Sequence, residues 1–130
     1  MGVIWTILPL NDRIKPWLED MGIAYPNSLS RFPTGMEIKS VLRGLKDYKI
    51  DIYEKGIGVG WQAVISHKND INSSTILNIR AYAGDNEQQK ISFSKGCEKL
   101  NEDILKRLTI MCGPLVLIPD TGEDPAVITP

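Results

Sequence analysis

The feature that most constrains the fold is a long stretch of period-two alternation in the middle of the chain. Apolar and polar residues alternate over residues 48–53, 57–65 and 77–82, and a shorter run follows at Ile91 and Phe93. Successive side chains of a β-strand point to opposite faces of a sheet, so this spacing predicts half-buried strands. Glycine-rich and polar turns separate the runs. The middle of the chain is therefore predicted to be an antiparallel β-meander.

Segments on both sides of the meander have apolar residues at helical spacing instead. They cover residues 14–21, 34–45 and 97–111. Thr34-Gly35-Met36-Glu37 has the sequence of a capping box, in which the Thr34 hydroxyl and the Glu37 carboxylate each accept the other residue's backbone amide. Ser94 is a candidate cap for the third helix, and Gly113 followed by Pro114 is expected to end it.

Two apolar segments complete the predicted fold. Alternation at Val3, Trp5 and Ile7 predicts a first strand that starts at Gly2, and the uninterrupted apolar run 115–118 predicts a strand buried on both faces. The resulting order is β-α-α-β-β-β-β-α-β. We expect a single α+β domain over residues 1–130, with a mainly antiparallel sheet of about five to six strands and about three helices packed on one face.

Composition narrows the classes of function. The chain is 42% hydrophobic and 24% charged with a formal net charge of −1, so no strong field attracts nucleic acid or an anionic membrane. The N-terminus lacks the charged start of a signal peptide, and Pro9 interrupts its apolar run. Cys97 and Cys112 lie about 22 Å apart along the predicted third helix, too far for a disulfide. We therefore expect free thiols and a cytoplasmic protein that binds neither nucleic acid nor a membrane.

Asp120-Thr121-Gly122 follows the last apolar run and matches the signature triplet of aspartic proteases. Those enzymes need further strands and a flap after the triplet, whereas only residues 123–130 remain here. Glu123 also stands where that family has a small residue. We reject the protease interpretation and expect an acidic surface turn, in which Asp120 accepts local backbone amides and Gly122 has a positive φ.

Other motifs that resemble catalytic sites lack their structural context. Gly56-Ile57-Gly58-Val59-Gly60 resembles a phosphate-binding loop, but a predicted strand follows it where a helix would be required. His67 is the only histidine, so a metal cluster is not expected. Cys97 is either a nucleophile with His67 as its base or, as we favour, a small core residue. No catalytic, cofactor-binding or metal-binding residue is assigned.

Several short segments of the sequence resemble those of a group of known proteins. They are Ser30-Arg31-Phe32-Pro33-Thr34, Ile91-Ser92-Phe93-Ser94-Lys95-Gly96, Cys112-Gly113-Pro114-Leu115, Pro119-Asp120-Thr121-Gly122 and Pro125-Ala126-Val127-Ile128. The chain resembles a small family of single-domain bacterial proteins without established enzymatic activity, similar in style to the immunity proteins of polymorphic toxin systems. The resemblance implies a protein-binding role and supplies no catalytic residues.

Two hypotheses for function follow from these patterns. The first is a non-enzymatic cytoplasmic protein that binds another protein, with a bacterial toxin as the expected partner and Asp120, Glu123, Asp124, Arg80 and Tyr82 as candidate contact residues. The alternative is a small-ligand-binding protein or enzyme that uses a polar sheet face formed by Gln62, His67, Arg80 and Tyr82. A pocket that encloses Arg80 and His67 would favour the alternative, and scattered, solvated side chains would count against it.

Overall fold

The computed structural model describes residues 3–70 and 72–130, and within them the chain forms three helices and seven strands. In chain order these are β1 (Ile4–Pro9), α1 (Ile14–Asp20), α2 (Gly35–Arg43), β2 (Tyr48–Glu54), β3 (Trp61–His67), β4 (Ser74–Ile79), β5 (Ile91–Ser94), α3 (Glu98–Cys112), β6 (Leu115–Pro119) and β7 (Ala126–Ile128). The predicted α+β class and element order are confirmed, and the short β7 follows the predicted elements. The expected start of the first strand at Gly2 lies outside the described residues.

The described strands form one antiparallel sheet in the order β2-β3-β4-β5-β1-β6-β7. The first four are the predicted meander. The N-terminal strand β1 then lies between β5 and β6, with Trp5 opposite Phe93 on one side and Pro119 on the other. β6 is flanked by β1 and β7 and is buried on both faces over residues 115–117, as its apolar run predicts.

The two faces of the sheet are covered differently. Helices α2 and α3 pack on one face and form the main core with the inward side chains of all seven strands, including Trp61, Leu77 and Phe93. Helix α1 packs on the opposite face, where Leu18 contacts a smaller cluster that contains Leu10 and Val116. The expectation that all three helices share one face therefore applies to α2 and α3 alone. The rest of the second face carries a mixture of polar side chains, such as Gln62 and Asn78, and partly exposed apolar ones, such as Val64 and Ile76.

Local signals explain most of the element ends. The predicted capping box is present at α2: the Glu37 amide donates to Thr34 Oγ1 at 3.2 Å, and the Thr34 amide donates to Glu37 Oε1 at 2.9 Å. Gly113 ends α3, as expected, and Cys97 occupies its N-cap position without a side-chain cap bond. Ser94 is a residue of β5 instead, and its hydroxyl accepts from the Asn78 amide.

The β2–β3 connection differs from the predicted one. The alternation over residues 57–65 predicts a strand from Ile57, but β3 begins at Trp61 and residues 55–60 form a loop. Gly56 and Gly58 have φ values of +130° and +83°, which side chains with a Cβ rarely adopt, so the chain turns where the alternation predicts extension. This loop positions Ile57 and Val59 at the surface.

Candidate functional site

The three candidate acidic residues lie together in the loop between β6 and β7. Asp120, Glu123 and Asp124 are all exposed. Asp120 also ties the loop to the sheet, because its Oδ1 accepts the backbone amide of Ile4 at 3.2 Å and its own amide donates to the Ile4 carbonyl at 2.9 Å. The acceptor role that we predicted for Asp120 is therefore present, but its partner is distant in sequence rather than local. The loop presents carboxylates to solvent.

The structure separates the other two candidate contact residues. Arg80 is exposed just after β4. Tyr82 is only 3% exposed, because its ring stacks on Trp61 with centroids 6.0 Å apart and its hydroxyl donates to Asp85. Tyr82 is therefore not a direct contact residue, contrary to the prediction. Its ring is buried beneath the surface residues, against Trp61. Arg80 and the acidic loop are three strands apart, so they do not form one compact patch.

The polar sheet face does form a groove, but only part of the predicted set lines it. A groove of about 530 Å³ is lined by Gln62, Asn78, Arg80, Ser92 and Ser94 together with Ile4, Gly60, Trp61 and Ile79. Gln62 Nε2 donates to Asn78 Oδ1 at 3.0 Å, and Asn78 Nδ2 donates to Ser94 Oγ at 3.0 Å. His67 lies at the other end of β3, roughly 16 Å along the strand from Gln62, with its ring against Tyr48. His67 and Tyr82 are thus absent from this groove.

A charged network that the sequence patterns did not reveal is centred on Lys39, in the middle of α2. Lys39 Nζ donates to Asp85 Oδ1 at 2.8 Å and to Glu54 Oε1 at 3.1 Å, and it lies 5.1 Å from the centroid of the Tyr82 ring. The bond to Asp85 raises the pKa of Lys39, and the bond to Lys39 lowers the pKa of Asp85. Burial is the main cause that raises the pKa of Tyr82. The network therefore holds one cation between two acidic side chains.

Exposed apolar side chains lie around this network. Met36 is 55% exposed, Ile57 75% and Val59 43%. Backbone bonds bring them together: the Met36 amide donates to the Asp85 carbonyl at 2.8 Å, and the Tyr82 amide donates to the Val59 carbonyl at 3.0 Å. Ile57 lies beside Gly84. We call Met36, Ile57 and Val59 the glycine-loop surface. In the sequence, the glycine spacing of residues 56–60 marked the segment that contains Ile57 and Val59. It predicted a strand face, whereas the structure forms a loop there.

A second ion pair holds the segment before α2. Arg31 reaches Glu37 with two bonds, of 2.6 and 2.8 Å, and also donates to the Met111 carbonyl at 3.3 Å. The bonds from Arg31, followed by those from Thr34, lower the pKa of Glu37 from 4.5 to about 2. Glu37 therefore serves α2 twice, as the partner of Arg31 and as the acidic member of the capping box.

We expect Glu37→Gln to lower the free energy of unfolding by about 2 kcal/mol at pH 7. Each unit of pKa shift corresponds to about 1.4 kcal/mol, and we reduce the total because the Arg31 side chain is 40% exposed. The folded-state pKa lies below the unfolded one, so the stabilisation is complete above pH 4.5 and is lost as the pH falls toward 2. Urea denaturation of both proteins across this range measures the difference.

Glu123→Gln is the matched control, because its carboxylate is exposed in the acidic loop. It should change stability by no more than about 0.5 kcal/mol at any pH in this range. A Glu37→Gln penalty that stays constant down to pH 2 would show that the charge of Glu37 contributes nothing.

Both cysteines are free thiols. Cys112 is buried at the end of α3, and burial raises its pKa to about 11, so this thiol stays protonated at neutral pH. Cys97 is half-buried and lines a cavity of about 480 Å³ with Tyr48, Ser73 and Asp103 among others. His67 is not among the residues that line this cavity.

Across residues 3–70 and 72–130, no group of three or more His, Cys, Asp or Glu side chains is placed to hold a metal ion. None of the described helices is long and apolar enough to cross a bilayer. Comparison with protein-family models, curated proteins and solved structures found no match.

Proposed function

We propose that this chain is a non-enzymatic cytoplasmic protein that binds another protein, and that its partner is a bacterial toxin, which the complex neutralises. The observation that carries the proposal is the glycine-loop surface, where Met36, Ile57 and Val59 are exposed and each lies next to the segment 82–85. Clustered exposed apolar side chains are typical of surfaces that bind proteins. The two free thiols agree with a reducing compartment such as the cytoplasm.

The charges around the glycine-loop surface are suited to burial by a partner. Lys39 is already paired with Asp85 and Glu54, and its side chain is only 15% exposed. Covering a paired cation costs less than covering an isolated one, because the partner need not supply the missing charge. A protein that packs on Met36 and Ile57 therefore gains apolar burial around an ion-pair network that is already complete.

The acidic loop contributes to encounter rather than to packing. Asp120, Glu123 and Asp124 are exposed and lie within a segment, residues 119–130, that contains no basic residue. The acidic loop follows β6, four strands from β3 in the sheet, so it lies away from the glycine-loop surface. Exposed charges outside the packed area of an interface mainly change the association rate, through attraction over about one Debye length. The negative charge of this loop is complementary to that of a toxin with a basic active-site cleft.

The experiment is co-expression with the product of the adjacent gene, followed by binding kinetics on the purified pair. We expect a complex that protects the cells. Ile57→Asp should weaken it at least about thirtyfold through faster dissociation, because a charge replaces an apolar contact. Neutralising Asp120, Glu123 and Asp124 together should slow association a few-fold and reduce its dependence on salt.

Leu29→Asp is the matched control for Ile57→Asp. Leu29 is 96% exposed and lies beside Gly113 at the end of α3, so the same apolar-to-acid change is made away from the glycine-loop surface. It should leave affinity unchanged. Absence of a complex, or equal losses for Ile57→Asp and Leu29→Asp, would contradict the proposal.

The sheet groove supports a second candidate function, binding of a small anionic ligand. Arg80 lines one groove together with Gln62 and Asn78, which carry amides, and Ser92 and Ser94, which carry hydroxyls. A cation with neutral donors is suited to a phosphate or a carboxylate. A rise in melting temperature with inorganic phosphate or succinate that Arg80→Gln abolishes would favour this function over protein binding.

A further inference from the structure

Strand β2 leaves one of its edges open. It is the first strand of the sheet and pairs only with β3, through seven consecutive residue pairs from Tyr48 to Glu54. Its sequence, YKIDIYE, contains neither proline nor glycine. Natural sheets usually block long edge strands, because the unpaired amides and carbonyls can pair with another chain. The edge strand at the other side of the sheet, β7, has only three residues.

The two faces of β2 have different chemistry. Tyr48, Ile50 and Ile52 point to the face covered by α2 and α3, and Ile52 is still 44% exposed there. Lys49 and Asp51 point to the polar face and carry opposite charges two residues apart. Neither forms an ion pair with any described residue of its own chain. From Tyr48 to Ile52 the strand is thus apolar on one side and carries two unpaired opposite charges on the other.

We propose that β2 pairs with β2 of a second copy of this chain, antiparallel about Ile50, so that two seven-stranded sheets join into one. In this register Ile50 lies opposite Ile50, and Lys49 of each copy lies opposite Asp51 of the other. Residues opposite each other in an antiparallel pair have their side chains on the same face, so both charge pairs form on the polar face.

Charge distinguishes this register from its neighbours. Sliding one copy so that Asp51 lies opposite Asp51 brings two carboxylates together, and sliding it the other way brings two Lys49 side chains together. Like charges directly opposite each other destabilise a strand pair, whereas opposite charges stabilise it. A one-residue slip is excluded because it would place the apolar side chains of one copy on the polar face. The register about Ile50 is therefore the one that the sequence of β2 favours.

The line along which the two β2 strands pair is called the seam. The apolar side chains along it support the same pairing. With Ile50 at the centre, Ile52 of each copy lies opposite Tyr48 of the other. The half-exposed Ile52 is thereby covered by an aromatic ring, a favourable cross-strand combination. The contact is the same patch on both copies, so the symmetry is closed and the association stops at a dimer. The strand pairing is centred on Ile50, whereas the glycine-loop surface begins after Glu54, the last residue of β2, and the test of the pairing needs no other protein.

The test is a charge swap across the seam, measured by sedimentation velocity over a range of concentrations. Wild type should show a dimer whose fraction increases with concentration. Lys49→Asp and Asp51→Lys should each raise the dissociation constant at least about tenfold, because each turns two attractive pairs into two repulsive ones. The double variant with both changes restores opposite charges and should return to within about threefold of wild type.

Mixing the two single variants adds a stricter test. A chain with Lys49→Asp carries two acidic side chains on this face, and a chain with Asp51→Lys carries two basic ones. The mixture should therefore form mixed dimers more tightly than either variant forms its own. In the register with Asp51 opposite Asp51, Lys49→Asp would instead have little effect, because residue 49 would lie opposite Tyr53.

Folding of each variant is checked by circular dichroism and thermal melting, since loss of the fold would also abolish the dimer. A measurement on wild type alone does not depend on the folding of any variant. Hydrogen exchange of the β2 backbone amides should slow as the protein concentration increases. A wild type that stays monomeric up to millimolar concentration would overturn the proposal. So would a dimer that Lys49→Asp does not weaken, or a double variant that dimerises no better than the single ones.

Discussion

Removal of residues 115–130 is expected to abolish cooperative folding. The deletion takes away β6, which pairs with β1 and β7, and with it three fully buried side chains, Leu115, Val116 and Leu117. Each such side chain contributes roughly 1.5–3 kcal/mol, so the loss is about 5–9 kcal/mol, comparable to the whole stability of a typical domain. Far-ultraviolet circular dichroism and thermal melting of the truncated protein measure the outcome.

A shorter deletion is the control. Removing residues 126–130 takes away only the edge strand β7, whose residues are all half-buried. This protein should melt at a lower temperature but still cooperatively. If the protein lacking residues 115–130 melted cooperatively and at an unchanged temperature, β6 would be peripheral and the two-sided burial of that strand would not matter for stability.

Gly113→Ala is expected to destabilise the protein by about 3 kcal/mol or more. Gly113 ends α3 with φ +86° and ψ 179°, a conformation that is almost restricted to glycine and costs other residues roughly 1–3 kcal/mol. A Cβ at this position would also collide with the backbone carbonyl oxygen of Leu29. Backbone cannot move aside as a flexible side chain can, so the two costs add. Chemical denaturation measures the change in the free energy of unfolding.

Gly122→Ala separates these two costs. Gly122 has a similar φ of +84°, but a Cβ there would meet nothing within 4 Å. Only the conformational cost remains, so we expect a loss of about 1 kcal/mol. Equal effects at Gly113 and Gly122 would show that the backbone at Leu29 moves to accommodate the new Cβ at no cost in free energy.

Surface and site residues were only partly predictable. The exposure of Asp120, Glu123 and Asp124 follows from their turn-forming segment, and the positive φ predicted for Gly122 is confirmed. Tyr82 was predicted to point to a polar face, but the strand ends at Ile79 and the ring stacks on Trp61. Once a strand ends, its alternation no longer determines the direction of the next side chains. The glycine-loop surface was missed for the same reason.

Local pattern determined the elements themselves. Period-two alternation, the capping box of Thr34 and Glu37, and the glycine after α3 each act within a few residues, because a strand face, a helix start and a helix end depend on nearest neighbours in the chain. These signals were enough for the α+β class, the meander and the buried strand β6, all of which the structure contains.

Tertiary structure decided what depends on contacts between distant residues. The insertion of β1 between β5 and β6 depends on pairing across about ninety or more residues, which no local periodicity encodes. Helix α1 lies on the second face because Leu18 packs there with Val116. Lys39 meets Glu54 and Asp85 only once α2, β2 and the turn before β5 have come together. The sequence by itself thus determined which elements form, apart from the short β7 and the start of β3, and long-range packing determined where they lie and which side chains meet at the surface.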